Sequence, residues 1–245
     1  MNSPVVVGII PARGGSKGIP DKNIRELGGF PVIAYSAAVS QMVSRLTRTI
    51  VSTDSMEIAE IAERFGADVP FLRPVEISGD HSIDLDYLKH AIEWFLETEN
   101  YTPDYWVLLR PTTPLRDPET VDRAIQSIID HPEATSLVSV HEFPENPGKM
   151  FGMQDGYLHG LCPLDPRPEY FTLPRQAFAP AFIGNGYVDI IRSSTVRNMD
   201  ALYGPRMLGF QTPDTGELDV EDDLKKLEFY IGQYGNKISR YLREI

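Results

Sequence analysis

Residues 5–23 read VVVGIIPARGGSKGIPDKN. Val5 to Ile10 is a continuous apolar run dominated by β-branched side chains, which is how a strand covered on both faces of a parallel sheet reads. Pro11 stops it. From Arg13 to Asn23, three glycines, a proline and several hydrogen-bonding residues make a loop. Pro31 then opens a stretch to Val43 with apolar residues at helical spacing. The order is strand, glycine loop, helix.

The same rhythm recurs outward from this unit. Arg48 to Val51 reads as a short strand, and Asp54 to Phe65 as a helix with Asp54 and Glu57 at capping-box spacing and Ile58, Ala59, Ala62 and Phe65 as its buried stripe. Val69 to Leu72 reads as a further strand, and Asp84 to Leu96 repeats Leu85, Leu88, Ile92 and Phe95 at helix period. Tyr105 to Leu109 is a third apolar strand. Asp117 is placed to cap a helix with Pro118 at its first position and Val121, Ala124, Ile125 and Ile128 inward. Ser136 to Val140, Tyr187 to Ile191 and Met207 to Gln211 read as strands, and Val220 to Tyr234 as a closing helix. Strands alternating with helices predict an α/β fold: a mostly parallel twisted sheet flanked by helices, of Rossmann-like type, with residues 1–245 as one domain.

Between Glu142 and Pro180 the rhythm breaks, and prolines and aromatics accumulate. Residues 142–180 are expected to form an inserted, protruding β-rich arm. Its aromatics would be poorly covered in a monomer, so a homodimer is expected.

Thirty-five acidic residues against 23 basic ones give a net charge of −12, whose average field repels nucleic acid and anionic membranes. An anionic ligand would have to be held by a local cluster of cations and backbone amides. A single cysteine, Cys162, permits no intramolecular disulfide and suits a reducing compartment. Residues 1–11 show no basic segment before their short apolar run, and no stretch reaches the roughly 18 to 20 apolar residues of a membrane span. A cytoplasmic location is the expectation.

The glycine loop supplies such a cluster. Arg13, Lys17, Lys22 and Arg25 lie within thirteen residues, interleaved with Gly14, Gly15 and Gly18, which let backbone N–H groups approach an anion closely. A triphosphate suits this loop, which is neither a Walker loop nor a dinucleotide fingerprint; the alternative is a solvated βα turn, but ligands of open α/β sheets bind at this end of the strands. Downstream, Glu217 and Asp219 are carboxylates at i and i+2. In an extended segment they point to one side and can share a hard cation such as Mg²⁺. The acidic run Glu221 to Asp223 has a second reading, as helix amino-terminal acids suited to the dipole. The five histidines form no metal-spaced pair, and Trp94, Trp106 and Cys162 read as packing residues.

Ile10 to Ile24, IPARGGSKGIPDKNI, resembles the signature loop of the acylneuraminate cytidylyltransferases, the CMP-sialic acid synthetases. The resemblance continues in order through Ser52–Pro74, LLRPTTPLR at Leu108–Arg116, NGYVDI at Asn185–Ile190 and ELDVEDDL at Glu217–Leu224. It implies a nucleotidyltransferase in which the anomeric hydroxyl of a 2-keto acid sugar attacks the α-phosphate of CTP and pyrophosphate leaves. Catalysis would rest on positioning and on electrostatic stabilisation by cations and metal. By resemblance Arg13, Ser16, Lys17 and Lys22 meet the triphosphate with the amides of Gly14 and Gly15, either Lys22 or Arg13 is the side chain nearest the transition state, and Asn23 lines the nucleotide. Asp219 would be the firmer Mg²⁺ ligand, since Glu217 stands where the family has Asp. Arg73 and Asp84 fall at positions resembling cytosine contacts.

Three places depart from or only loosely follow the family pattern. Asp84 stands where some relatives have Ser; it either accepts from the cytosine amino group or caps a helix. Arg110 to Pro114 reads RPTTP where sialic-acid-specific relatives often read QPTSP, so Arg110, with Thr112 beside it, either pairs with the sugar acid or salt-bridges a neighbour. Lys149, Arg175 and Asn185 resemble positions that meet the sugar, although the arm lacks a close match. The rival expectations are an eight-carbon acid sugar, another nucleoside triphosphate, or a non-catalytic nucleotide-sugar sensor.

Overall fold

The computed structural model describes residues 3–245. Met1 and Asn2, the first residues of the 1–11 stretch read above for a basic segment and an apolar run, lie outside the described residues. The first unit is β1 (Val6–Pro11), the glycine loop with a small hairpin of β2 (Glu26–Leu27) and β3 (Phe30–Pro31), and α1 (Val32–Met42). Then follow β4 (Arg48–Ser52), α2 (Met56–Arg64), α3 (Asp84–Trp94), β5 (Tyr105–Leu108), α4 (Pro118–Asp130) and β6 (Ser136–Glu142). The hairpin β7 (Phe151–Gln154) and β8 (Tyr157–Gly160) precedes β9 (Phe182–Arg192), α5 (Ser193–Met199), β10 (Met207–Gln211), α6 (Glu221–Tyr234) and α7 (Lys237–Tyr241).

Six strands form the main sheet in the order β10-β6-β9-β5-β1-β4. All neighbours are parallel except β9, which runs antiparallel to both β5 and β6. The sheet is therefore mostly parallel, as expected, and the segment read as a strand at 187–191 is its one reversed member. The apolar run of β1 is explained by its two faces. Val6 and Ile10 enter the core shared with α1, α2, α4 and α6, whereas Val7 and Ile9 enter a second core with Tyr87, Leu88, Ile92 and Phe95 of the α3 side. Trp106 is fully buried in that second core, as its packing reading required.

Local expectations hold in some places and shift in others. Asp117 caps α4 by accepting from the Thr120 amide at 3.0 Å, with Pro118 in the first turn. The cap of α2 is Ser55, whose hydroxyl accepts from Ile58 N, so the Asp54–Glu57 capping box does not form. Val69–Leu72 is not a ladder strand; it touches the sheet only through isolated bridges of Ile50 with Asp68 and Thr53 with Leu72. Pro70 and Pro74 explain this, since neither can donate to a ladder. Pro31 sits at the cap of α1 rather than inside it. α3 continues into a π-helical turn, Phe95–Glu99, closed by Asn100 at φ 57°.

Between β6 and β9 the chain forms the β7–β8 hairpin, turned by Asp155 and Gly156 with positive φ, and short 3-10 turns. Tyr157, Leu158 and Leu164 of this segment are exposed. Among the described residues no helix is long and apolar enough to cross a membrane.

Arg116 ties the central strands together and is almost wholly buried. Its guanidinium donates to the carbonyls of Tyr187, Arg110 and Gly186 and to Ser36 Oγ. Burial pulls its pKa down to about 9, which still leaves it protonated at neutral pH. Arg116→Ala is expected to lower the unfolding free energy by about 3 kcal/mol or more, because one buried and two part-buried carbonyls lose their donor and a cavity opens. Denaturant unfolding at pH 7 measures this; an unchanged midpoint would refute it.

Candidate active site

The glycine loop leaves the carboxyl end of β1 and folds over the sheet edge. Gly15 sits at φ 65°, a conformation that β-carbon-bearing residues rarely adopt. The loop is pinned from within and without. Asn23 Nδ2 donates to the Arg13 carbonyl at 2.8 Å, and the amide of Gly14 donates to Asp54 Oδ1 at 2.8 Å. Asp54 is thus drawn to the loop, which is why Ser55 and not Asp54 caps α2.

Lys22 makes the longest-range link. Its ammonium donates to the Leu218 carbonyl at 3.0 Å and to Asp219 Oδ1 at 3.1 Å, and the ammonium end is largely covered. A β-carbon on Gly18 would lie 2.6 Å from the Asp219 carbonyl, so the loop and the Glu217–Asp219 segment pack backbone to backbone. Leu218 N donates to the Thr112 carbonyl at 2.8 Å, and Thr112 Oγ1 donates to Glu217 Oε1 at 3.2 Å. Asp219 and Glu217 therefore flank the same edge, one on the loop side and one on the β5 side. Arg25 pairs with Glu221 at 3.3 Å. Of the acidic run, Asp223 accepts from the amides of Asp219 and Val220 at the start of α6, the helix-terminal role. Its carboxyl is held below the usual range by the Lys226 hydrogen bond and then by Val220 N.

Two loop cations share one carboxylate. Arg13 Nη2 lies 3.0 Å from Asp80 Oδ1, and Lys17 pairs with the other oxygen. Those contacts, that of Lys17 foremost, hold the Asp80 carboxyl below its ordinary pKa. Ser16 is half-buried. A cleft of about 190 Å³ opens beside Arg13 and Asn23, walled by Arg73, Asp84, Tyr87 and Arg110. Arg73 is buried, donates to Ser52 Oγ and the Ser52 carbonyl, and stacks over the Tyr87 ring at 4.8 Å. Burial lowers its pKa.

Arg110 is a wall of this cleft, and its guanidinium bridges Asp84 at 2.5 Å and Asp189 at 2.7 Å. Of the two readings open for Arg110, the structure shows the ion pair. Asp84 is not the cap of α3, since Asp86 accepts from the Ile83 amide there; its carboxylate faces Arg110 instead. Asn185 Nδ2 donates to Thr212 Oγ1 at 2.8 Å on the far flank of the edge. Lys149 and Arg175 are not brought to the cleft. Lys149 donates to the Leu173 carbonyl and Arg175 pairs with Glu142, both within residues 142–180. Asp54, Asp80 and Asp189 carry site geometry that the sequence reading did not single out, and each lacked a signal because the loop amide or cation it meets there lies 40 or more residues away in the chain. Among the described residues no cluster of three or more His, Cys, Asp or Glu is arranged to hold a metal.

Comparison with known proteins bears on this arrangement. A family model described as cytidylyltransferase matches residues 7–150. The CMP-N,N'-diacetyllegionaminic acid synthase of Legionella pneumophila is 37% identical over 141 residues, 55% of this chain and 57% of that protein. The N-acylneuraminate cytidylyltransferase of Escherichia coli O18:K1:H7 is 36% identical over 218 residues, 89% of this chain and 49% of that protein. The chain thus spans about half the length of these curated relatives. A solved CMP:2-keto-3-deoxy-manno-octonic acid synthetase complexed with CTP superposes with a TM-score of 0.69, covering 94% of this chain and 99% of that one at 19% identity, a likeness of fold.

Asp80 occupies two cations of the loop, so an incoming polyphosphate has to displace it. Asp80→Asn is expected to tighten binding of inorganic tripolyphosphate severalfold at low salt, with the gain shrinking as salt rises. Titration calorimetry reads this, and equal affinities for the two proteins would contradict it.

Proposed function

The chain belongs to the cytidylyltransferase family, and from that premise we propose that it transfers CMP from CTP to the anomeric hydroxyl of a nonulosonic, sialic-type acid sugar and releases pyrophosphate. The observation that carries the reading is the bridge from Lys22 to Asp219 across 196 to 197 residues of chain, at the mouth of the glycine loop. It sets a cation and a carboxylate side by side where the phosphates of a bound nucleotide would reach. The named relatives act on sugars of the nonulosonic class, which supports that choice of acceptor.

In this reading the Gly15 amide is offered to the β- and γ-phosphates, the Gly14 amide exchanges Asp54 for a phosphate oxygen, and Arg13 and Lys17 exchange Asp80 for phosphate oxygens. Lys22, pre-oriented by the Leu218 carbonyl, meets the charge that develops on the α-phosphate. Arg73 and Asp84 face the base, and Thr112 and Asn185 lie toward the sugar. Asp219 and Glu217 offer hard oxygen donors on one edge. Two carboxylates plus substrate phosphates and water suit Mg²⁺, which seldom takes an all-protein cage. When bound, the ion would neutralise phosphate charge. With Arg110 engaged by two carboxylates, the sugar acid has to find its cation elsewhere in the edge. We place the protein in the cytoplasm, on the strength of its single cysteine, and assign the exposed Tyr157, Leu158 and Leu164 of the arm to a homodimer contact.

Lys22→Ala is expected to reduce kcat/KM at least 100-fold in a pyrophosphate-release assay with CTP, Mg²⁺ and an N-acylneuraminate or legionaminate, while the fold persists by circular dichroism. Asp219→Asn is expected to raise the Mg²⁺ concentration needed for half-maximal rate. Silence of the wild-type protein with every such sugar would overturn the reading. Sedimentation at micromolar concentration is expected to give twice the chain mass of 27.5 kDa, and a monomer would refute the arm contact.

A further inference from the structure

The segment that links β10 to the Glu217–Asp219 pair runs along the edge from β6 to the loop that follows β5. It is tied down at both ends: Thr212 N donates to the Val140 carbonyl at 2.9 Å, and Leu218 N to the Thr112 carbonyl at 2.8 Å. Between these anchors Gly216, at φ 76°, turns the chain, and its amide donates to Asp214 Oδ1 at 3.0 Å. Asp214 is thereby fixed with its other oxygen, Oδ2, 4.0 Å from Nε2 of His141 at the end of β6. His141 pairs with Ile183 of β9. Two residues on, Asn185 donates to Thr212 Oγ1 and accepts from the Tyr187 amide at 3.2 Å, which holds it against the same segment.

The His141 ring is mostly covered, and its Nδ1 is buried with no hydrogen-bond partner among the described residues. Orphaned buried N–H groups are rarer than under-used acceptors, so the ring proton belongs on Nε2, the nitrogen that faces Asp214. A donor and a carboxylate oxygen 4.0 Å apart are too far for a direct hydrogen bond and near enough for one oxygen to bridge them. A hydroxyl fits this slot, because it donates to the carboxylate and accepts from the ring at once. Asp214 lies three residues before Glu217, a span of at most about 11 Å of chain. Glu217 in turn accepts from Thr112 Oγ1 on the β5 side. We propose that His141 and Asp214 clasp a hydroxyl on the exocyclic tail of the acid sugar, so that the chain prefers a nine-carbon acceptor, with its three-carbon tail, over an eight-carbon one. The inference rests on the transfer reading given above and assigns the far end of its acceptor site. The anomeric carbon lies beside the Thr112–Glu217 contact, and the tail reaches along the segment to β6. A tail one carbon shorter ends before the slot and leaves the donor and the carboxylate unbridged. His141 and Asp214 determine specificity and stand away from the reacting atoms.

The test follows pyrophosphate release with CTP and Mg²⁺ against N-acetylneuraminate, N,N'-diacetyllegionaminate and 2-keto-3-deoxy-manno-octonic acid, for the wild type, H141F, H141Q and D214N. The wild type is expected to show a kcat/KM about tenfold or more higher for one of the nine-carbon acids than for the eight-carbon acid. His141→Phe keeps a ring in place and removes the donor. It is expected to raise KM for that nine-carbon acid about tenfold, with kcat and the KM for CTP within about twofold. KM for the eight-carbon acid is expected to stay within about twofold, so the preference disappears. His141→Gln, whose terminal amide donates from a similar reach, is expected to recover most of the loss. Asp214→Asn keeps the oxygen that accepts from Gly216, drops the charge, and is expected to act in the same direction as H141F. Equal changes in KM for all three acids, an unchanged KM in H141F and D214N, or a wild type with no preference for a nine-carbon acid would each overturn the proposal. If the wild type releases no pyrophosphate with any of the three, the transfer reading fails by itself. Calorimetric binding of the nine-carbon acids in the presence of CTP and Mg²⁺ then decides the slot: weaker binding to H141F supports it, and equal or absent binding overturns it.

Discussion

The site depends on one constraint: a chain of net charge −12 has to keep a dense group of cations at a single loop without losing them to solvent or to each other. It does so by giving each a local partner. Lys22 is held by Leu218 and Asp219, Arg13 and Lys17 by Asp80, Arg25 by Glu221, and Arg110 by Asp84 and Asp189. Such pairs orient the cations and remove their mutual repulsion. The exposed ones add little to stability, and for that reason they can open to a more highly charged ligand.

Topology makes these pairings possible. Because β9 runs antiparallel between β5 and β6, its Asn185–Gly186 end reaches the same edge as the carboxyl ends of β1 and β5. The segment following β10 then crosses that edge, where Leu218 pairs with Thr112 and Asp219 meets Lys22. The glycine loop lies on the β1 side and Asn185 with Thr212 on the β6 side, so an elongated ligand can lie along the edge from one to the other. Buried Arg116 holds this seam, since its donors bind carbonyls of β9 and of the Arg110 loop at once.

Much of this was legible in the residues. The β-branched run of β1, the glycine loop and the Asp117–Pro118 start of α4 are local patterns, and local sterics and capping chemistry fix their outcome. The shift of the α2 cap from Asp54 to Ser55 was not legible, because Asp54 is claimed by the amide of Gly14, forty residues away. The strand expected at Val69–Leu72 failed on its own prolines, a local signal outweighed in the reading by the apolar side chains. Lys149 and Arg175 were assigned by resemblance in the segment where resemblance is weakest, and they engage partners within that same segment, residues 142–180.

The sequence by itself determined the βα order, the buried faces of the strands, the cationic glycine loop and the carboxylate pair, since each follows from residue type at short spacing. Only the tertiary structure decided which charges meet. Asp80 on Arg13 and Lys17, Asp219 on Lys22, and Asp189 behind Arg110 and Asp84 are contacts across 63 to 197 residues. Coulomb pairing acts on distance in space, and that distance is set by strand order and by the one reversed strand, neither of which is written in any local pattern.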